Sequence, residues 1–172
     1  MNIPAVDADM GEVVKAYSTS KIQLGRRCIM KLVLPFLRPL YDALEPYAYP
    51  LVRITVGLLL FPHGAQKLFG WFGGDPARAI DSFHSIGFEP AALFVTITGV
   101  VEFFGGLLVA VGLLTRPAAA ICTCLLAVTI WVTSARGWAA MEYSVLWTIV
   151  CLTIGVRGGG RISIDRLIGR EF

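Results

Sequence analysis

Four stretches of the chain are nearly free of charge, and each is about as long as a lipid hydrocarbon core is thick. They cover residues 51–69, 91–114, 118–133 and 138–156. About 20 apolar residues rising 1.5 Å each cross a core roughly 30 Å thick, so the pattern predicts four membrane-spanning α-helices. Turn residues punctuate them: Gly70-Trp71-Phe72-Gly73-Gly74 after the first, Thr115-Arg116-Pro117 as a tight turn after the second, Arg136-Gly137 after the third. Pro50 and Pro90 stand where a first helical residue is expected. Trp131 and Trp138 flank the exit of the third span like interfacial anchors. Between the first two spans, Asp75-Pro76 reads as a cap and first helical residue. Ala77, Ile80, Phe83 and Ile86 then recur every three residues, which predicts a short amphipathic helix on the membrane surface.

The leading segment is different. Residues 1–27 are polar and hold no apolar core ending at a small-residue cleavage site, so no signal peptide is expected. They predict a cytoplasmic tail with at most a short helix near residues 11–17. Residues 28–49 are apolar but interrupted by Lys31, Arg38, Asp42, Pro35 and Pro39. Such a segment suits the membrane interface, with an additional span as the alternative. The expected fold is all-α: a polytopic four-transmembrane-helix bundle with an N-terminal interfacial helix. The expected organisation is residues 1–49 as tail and interfacial segment, 50–168 as the membrane domain and 169–172 as a C-terminal tail.

Composition agrees, since 56% of the 172 residues are hydrophobic and 16% charged, against about 25% charged in soluble domains. Nucleic-acid binding is excluded for want of a basic stripe interleaved with aromatics. Lys15, Lys21, Arg26, Arg27, Lys31, Arg38, Arg116, Arg157, Arg161, Arg166 and Arg170 fall on one side of the predicted membrane. Only Lys67, Arg78 and Arg136 fall on the other, which predicts both termini in the cytoplasm. Cys28, Cys122, Cys124 and Cys151 form no Cys-x-x-Cys pair, and with two histidines in the chain no metal site is expected. The cysteines read as small apolar fillers.

Ionisable groups inside the spans are the candidates for chemistry, because lipid cannot solvate them. They are Arg53, His63 and Lys67 on the first span, Glu102 on the second and Glu142 on the fourth. At 100° per residue the first three share an arc of about 80°. The helical rise places His63 and Glu102 at similar depth, about 20 and 18 Å from the cytoplasmic boundary. The expected pairs are therefore Glu102 with His63 and Glu142 with Lys67, forming a polar pocket with Trp71 and Phe72 near its mouth. Two readings stay open. The charges lock the helices together, or they line a pocket for a lipid-soluble molecule with polar oxygens, such as a quinone, with Glu102 exchanging a proton. Gly57 and Gly64 on the first span, with Gly99, Gly105, Gly106 and Gly112 on the second, predict that these two helices pack directly together. No covalently bound cofactor is expected: haem, iron–sulfur and nucleotide-binding patterns are absent.

Several of these residues together resemble the DoxX family. They are Arg53-x-x-x-Gly57, His63-Gly64-x-x-Lys67-Leu68-Phe69-Gly70, Phe72-Gly73-Gly74, Glu102-x-x-Gly105-Gly106, Gly112-Leu-Leu-Thr-Arg-Pro-Ala, Glu142, and Gly158-x-Gly160-x-x-Ser163-Ile164-Asp165. The resemblance covers about residues 50–168, and residues 1–49 form a longer tail than most members carry. It implies a small four-helix protein of the bacterial inner membrane with a redox-linked role at or near the quinone pool, acting with a protein partner. The alternative is a non-catalytic accessory subunit of a larger membrane complex; a homo-oligomer stays open. Many members carry a histidine near the outer end of the third span, where this chain reads Val132-Thr133-Ser134-Ala135-Arg136. That departure implies an altered site.

Overall fold

The computed structural model describes residues 33–170; the short helix expected near residues 11–17 and residues 28–32 of the interfacial segment lie outside them. The chain divides by contacts into two compact units, residues 1–41 and 42–172. In the first, the described residues form a 3₁₀ turn, Pro35–Leu37, and enter a long helix. The second holds the membrane domain.

Among the described residues, four helices are long and apolar enough to cross a bilayer. Helix α1 is Arg38–Phe69, α3 is Ala91–Val111, α4 is Thr115–Ser134 and α5 is Trp138–Arg157; the short α2, Pro76–Ser85, joins α1 to α3, and α6, Ile164–Ile168, follows α5. Together they make the expected all-α membrane bundle.

The element boundaries depart from expectation in two places. Pro50 does not open α1 but lies within it, as do Pro46 and Pro62. Each proline removes one backbone hydrogen bond, and the bonds of flanking residues carry the helix through, as membrane helices tolerate. With 32 residues, α1 is about 48 Å long, well beyond the roughly 30 Å it needs to cross the core. The turn between α3 and α4 also falls earlier than expected, at residues 112–114. Gly112 (φ +73°) and Leu114 (φ +49°) are left-handed, and Thr115-Arg116-Pro117 becomes the first turn of α4, where a missing proline N–H costs nothing.

Asp75 caps α2 as the sequence predicts, accepting from the N–H groups of Ala77 and Arg78 at 3.0 and 3.1 Å. Helix α3 is not uniformly α-helical, since residues Val101–Gly105 form a π-helical turn around Glu102. The bundle is closest where glycines meet. A Cβ on Gly57 would stand 2.5 Å from the Ala110 nitrogen, and one on Gly64 would stand 2.6 Å from the Gly99 carbonyl oxygen. Helices α1 and α3 therefore touch backbone to backbone, as the glycine pattern predicts. Val56, Leu60, Val109, Ala119, Cys122, Leu126, Cys151 and Ile154 fill the core; Cys122 and Cys151 act there as small packing residues.

Candidate functional site

Two polar centres are built into the bundle, one at each end. The first lies at the tail end, where α5 meets α6. Arg53 is 1% exposed. Its Nη1 donates to the carbonyls of Val109 (2.6 Å) and Ala110 (3.0 Å), and its Nη2 to the carbonyl of Ile162 (2.5 Å). The last turn of a helix has carbonyls without intrahelical partners, and Arg53 meets two near the end of α3 while gripping the segment after α5. Asp165 works beside it. Its Oδ1 accepts from the Leu114 N–H at 2.8 Å, and its Oδ2 from the Thr115 N–H at 2.9 Å and the Thr115 hydroxyl at 2.7 Å. Leu114 offers α4 no side-chain cap, so a carboxylate fifty residues away supplies one. Tyr49 adds a hydrogen bond from its hydroxyl to the Gly158 carbonyl, and the Arg157 guanidinium sits 4.3 Å over its ring.

Burial alone would push the Asp165 carboxyl up. The hydrogen bonds from Thr115 and Leu114, with the nearby Arg53 charge, outweigh that and hold it below the usual carboxylate range. A carboxyl lowered on folding stabilises the fold above its unfolded value, and that contribution disappears as pH falls through the lowered value. The stability difference between wild type and Asp165→Asn should therefore stay level from neutral pH down to about 4 and shrink below it. Thermal unfolding of the two proteins in detergent across that range checks this. A difference that persists unchanged in acid would show that the carboxylate charge is not what holds the turn.

The second centre lies toward the opposite end, where α2 and the loops sit. Lys67 Nζ donates to both carboxylate oxygens of Glu102, at 2.6 Å to Oε1 and in an ion pair with Oε2. Their side chains are 24% and 12% exposed. The π-helical turn is the segment of α3 that carries Glu102, and such turns recur where a helix must present a functional side chain. The pair opens on a cavity of about 500 Å³ between α2, α3 and α4. Its walls are largely apolar, with Phe83, Phe88 and Phe94 prominent, and Arg136 also lines it. Thr98, Thr129 and Thr133 line it too, but their hydroxyls donate to carbonyls of their own helices. They face the cavity as acceptors only, so a ligand carbonyl would find its charged donors in Lys67 and Arg136.

The expected pairings are corrected. Glu102 pairs with Lys67, not His63. His63 is exposed on the outer side of α1, because it lies about 100° round the helix from Gly64, whose face is pressed against α3. Glu142 does not meet Lys67 but is exposed in the first turns of α5. It lies about 180° from Cys151, the buried side of that helix. Arg53 joins the tail-end centre instead of the cavity. Trp71 and Phe72 are not among the residues that line the cavity; they belong to an aromatic cluster in which Phe103 lies 4.6 Å from Phe61 and 5.5 Å from Phe69. Sequence reasoning missed Asp165 as a cap, although its position just past a predicted span end, in the same segment as Ser163, was visible.

The family model for DoxX matches residues 49–135, just over half of the chain. An uncharacterized membrane protein of Mycobacterium tuberculosis is 41% identical over 68 residues, which is 40% of this chain and 39% of that protein. The chain thus matches well under half the length of this relative. No solved structure matches the chain.

Proposed function

The chain belongs to the DoxX family, and from that premise we propose that it is a membrane protein with a redox-linked role at the quinone pool, holding a quinone-type molecule in the cavity beside Lys67 and Glu102. One observation carries this reading: a charged donor and a carboxylate, joined as a pair, face a largely apolar cavity of about 500 Å³ inside a membrane bundle. Ligand sites of this kind are apolar with a few convergent polar groups. A ring with carbonyl oxygens fits the donors Lys67 and Arg136, and the phenylalanine rings suit its faces. Reduction of a quinone to a quinol takes up two electrons and two protons. Glu102 is placed to pass the two protons one after the other, and the two electrons come from a redox-active partner protein. The concentration of basic residues at the tail end supports a bacterial inner-membrane location with both termini cytoplasmic, and therefore a cavity toward the outer leaflet.

Removing one member of a partly buried pair leaves an uncompensated charge, so the test replaces both. The variant Lys67→Met/Glu102→Met is expected to fold and to bind short-chain ubiquinone or menaquinone roughly 10–100-fold more weakly than wild type, the worth of a hydrogen bond from a charged donor. Calorimetric titration in detergent reads the affinity, and circular dichroism confirms the fold. Unchanged affinity would remove the quinone reading. The accessory-subunit reading would then stand, supported by the outward-facing His63 and Glu142, which lipid solvates poorly and a neighbouring subunit would cover.

A further inference from the structure

The segment after α5 is basic and is fastened down. The Asp165 N–H donates to the Gly112 carbonyl at 2.9 Å, Arg53 holds the Ile162 carbonyl, and the Arg170 N–H closes back on the Asp165 carbonyl at 3.1 Å. These bonds fix the backbone from which Arg161, Arg166 and Arg170 project. Together with Gly160, Asp165 and Gly169 the three arginines line an open groove of about 420 Å³. Asp165 brings a negative charge, but both of its oxygens are turned into the N–H groups of Leu114 and Thr115. Three guanidinium groups against one occupied carboxylate leave the groove with a net positive charge.

Arg166 spends one N–H on the Arg161 carbonyl at 3.3 Å, a small part of the five a guanidinium carries. Planar guanidinium groups converging on one groove match a phosphate, which they bind through paired hydrogen bonds. A second observation says where that phosphate comes from. On the same short segment Leu167 is 86% exposed, Ile168 54% and Ile162 47%, and α6 begins only seven residues after the last residue of a membrane span. Apolar side chains exposed at that level belong among acyl chains, with the arginines at headgroup height.

We propose that this groove binds the phosphate of an anionic phospholipid, with Arg161, Arg166 and Arg170 around the headgroup and Leu167 and Ile168 among the acyl chains. The site lies at the opposite end of the bundle from the Lys67–Glu102 cavity and does not depend on what that cavity holds.

Native mass spectrometry of the full-length protein released from detergent, with phosphatidylglycerol or phosphatidylcholine added, tests this. Wild type should retain phosphatidylglycerol in clear preference to phosphatidylcholine. Each Arg→Gln change in the groove should weaken that retention about fivefold, and the triple variant Arg161→Gln/Arg166→Gln/Arg170→Gln on the order of a hundredfold. Arg78→Gln, on α2 at the far end, should change nothing. These arginines are exposed, so the triple variant should unfold at the wild-type temperature in phosphatidylcholine micelles, which separates lost binding from lost folding. Equal retention of the two lipids, or a triple variant that keeps its preference, would overturn the proposal. Displacement of the lipid by millimolar inorganic phosphate would assign the groove to free phosphate instead, and would equally overturn it.

Discussion

Arg53→Met should destabilise the bundle more than either Gly64→Ala or Asp165→Asn, by on the order of 4–6 kcal/mol. The expectation follows from what the guanidinium holds. It bonds the carbonyls of Val109, Ala110 and Ile162, and hydrogen bonds from a charged donor contribute roughly 1.5–3 kcal/mol each, without adding fully. Methionine fills comparable space but donates nothing, so the carbonyls of Ala110 and Ile162 lose their side-chain donor and that of Val109 keeps only the Gly112 N–H at 3.2 Å. Arg53→Lys keeps the charge but not the fork, and should recover only part of the loss. Denaturant titration in mixed micelles measures both. A methionine variant within about 1 kcal/mol of wild type, the range of a solvent-exposed ion pair, would mean the arginine is a passenger.

The second large effect concerns Gly64→Ala. The added Cβ would lie 2.6 Å from the Gly99 carbonyl oxygen and 2.7 Å from the Phe103 Cα, both of them backbone atoms. Backbone cannot swing aside as a side-chain tip does, so α1 and α3 must separate. The loss should reach about 3 kcal/mol, the upper end of ordinary overpacking. It should also pull Lys67 from Glu102, since both sit within one turn of the contact. Gly155→Ala on α5 is the matched comparison. There the nearest atom to a new Cβ is 3.6 Å away, and trading glycine for alanine in a helix interior is neutral or favourable by up to about 1 kcal/mol. Equal behaviour of the two variants, read by the same denaturant titration, would show that α1 and α3 do not meet at Gly64.

The contrast between these glycines also explains how much of the molecule could be read from residues alone. The spans were legible because lipid imposes a long apolar run that no turn or tail mimics. The packing of α1 on α3 was legible because Gly57 and Gly64 share a face. The pairing of Glu102 was not, because backbone rise fixes only depth, and depth alone points to His63. Lys67 stands four residues further along, about 6 Å by helical rise, and its long side chain reaches back over that distance. The glycine stripe held the correction: Lys67 lies about 60° from Gly64, His63 about 100°. Glu142 failed for a related reason, since depth says nothing about direction and the buried face of α5 is set by Cys151 and Ile154. The role of Asp165 was hidden because a cap normally stands next to its helix, and this one comes from fifty positions later.

That separation has a consequence for how the protein is made. A ribosome delivers α3, the turn and α4 to the membrane long before residue 165 leaves the exit tunnel. Until then the left-handed Leu114 has no acceptor for its N–H, and Arg53 lacks the Ile162 carbonyl. The tail therefore works as a latch that can snap shut only after all four crossings exist, and a nascent bundle that stalls short of it stays open at that end.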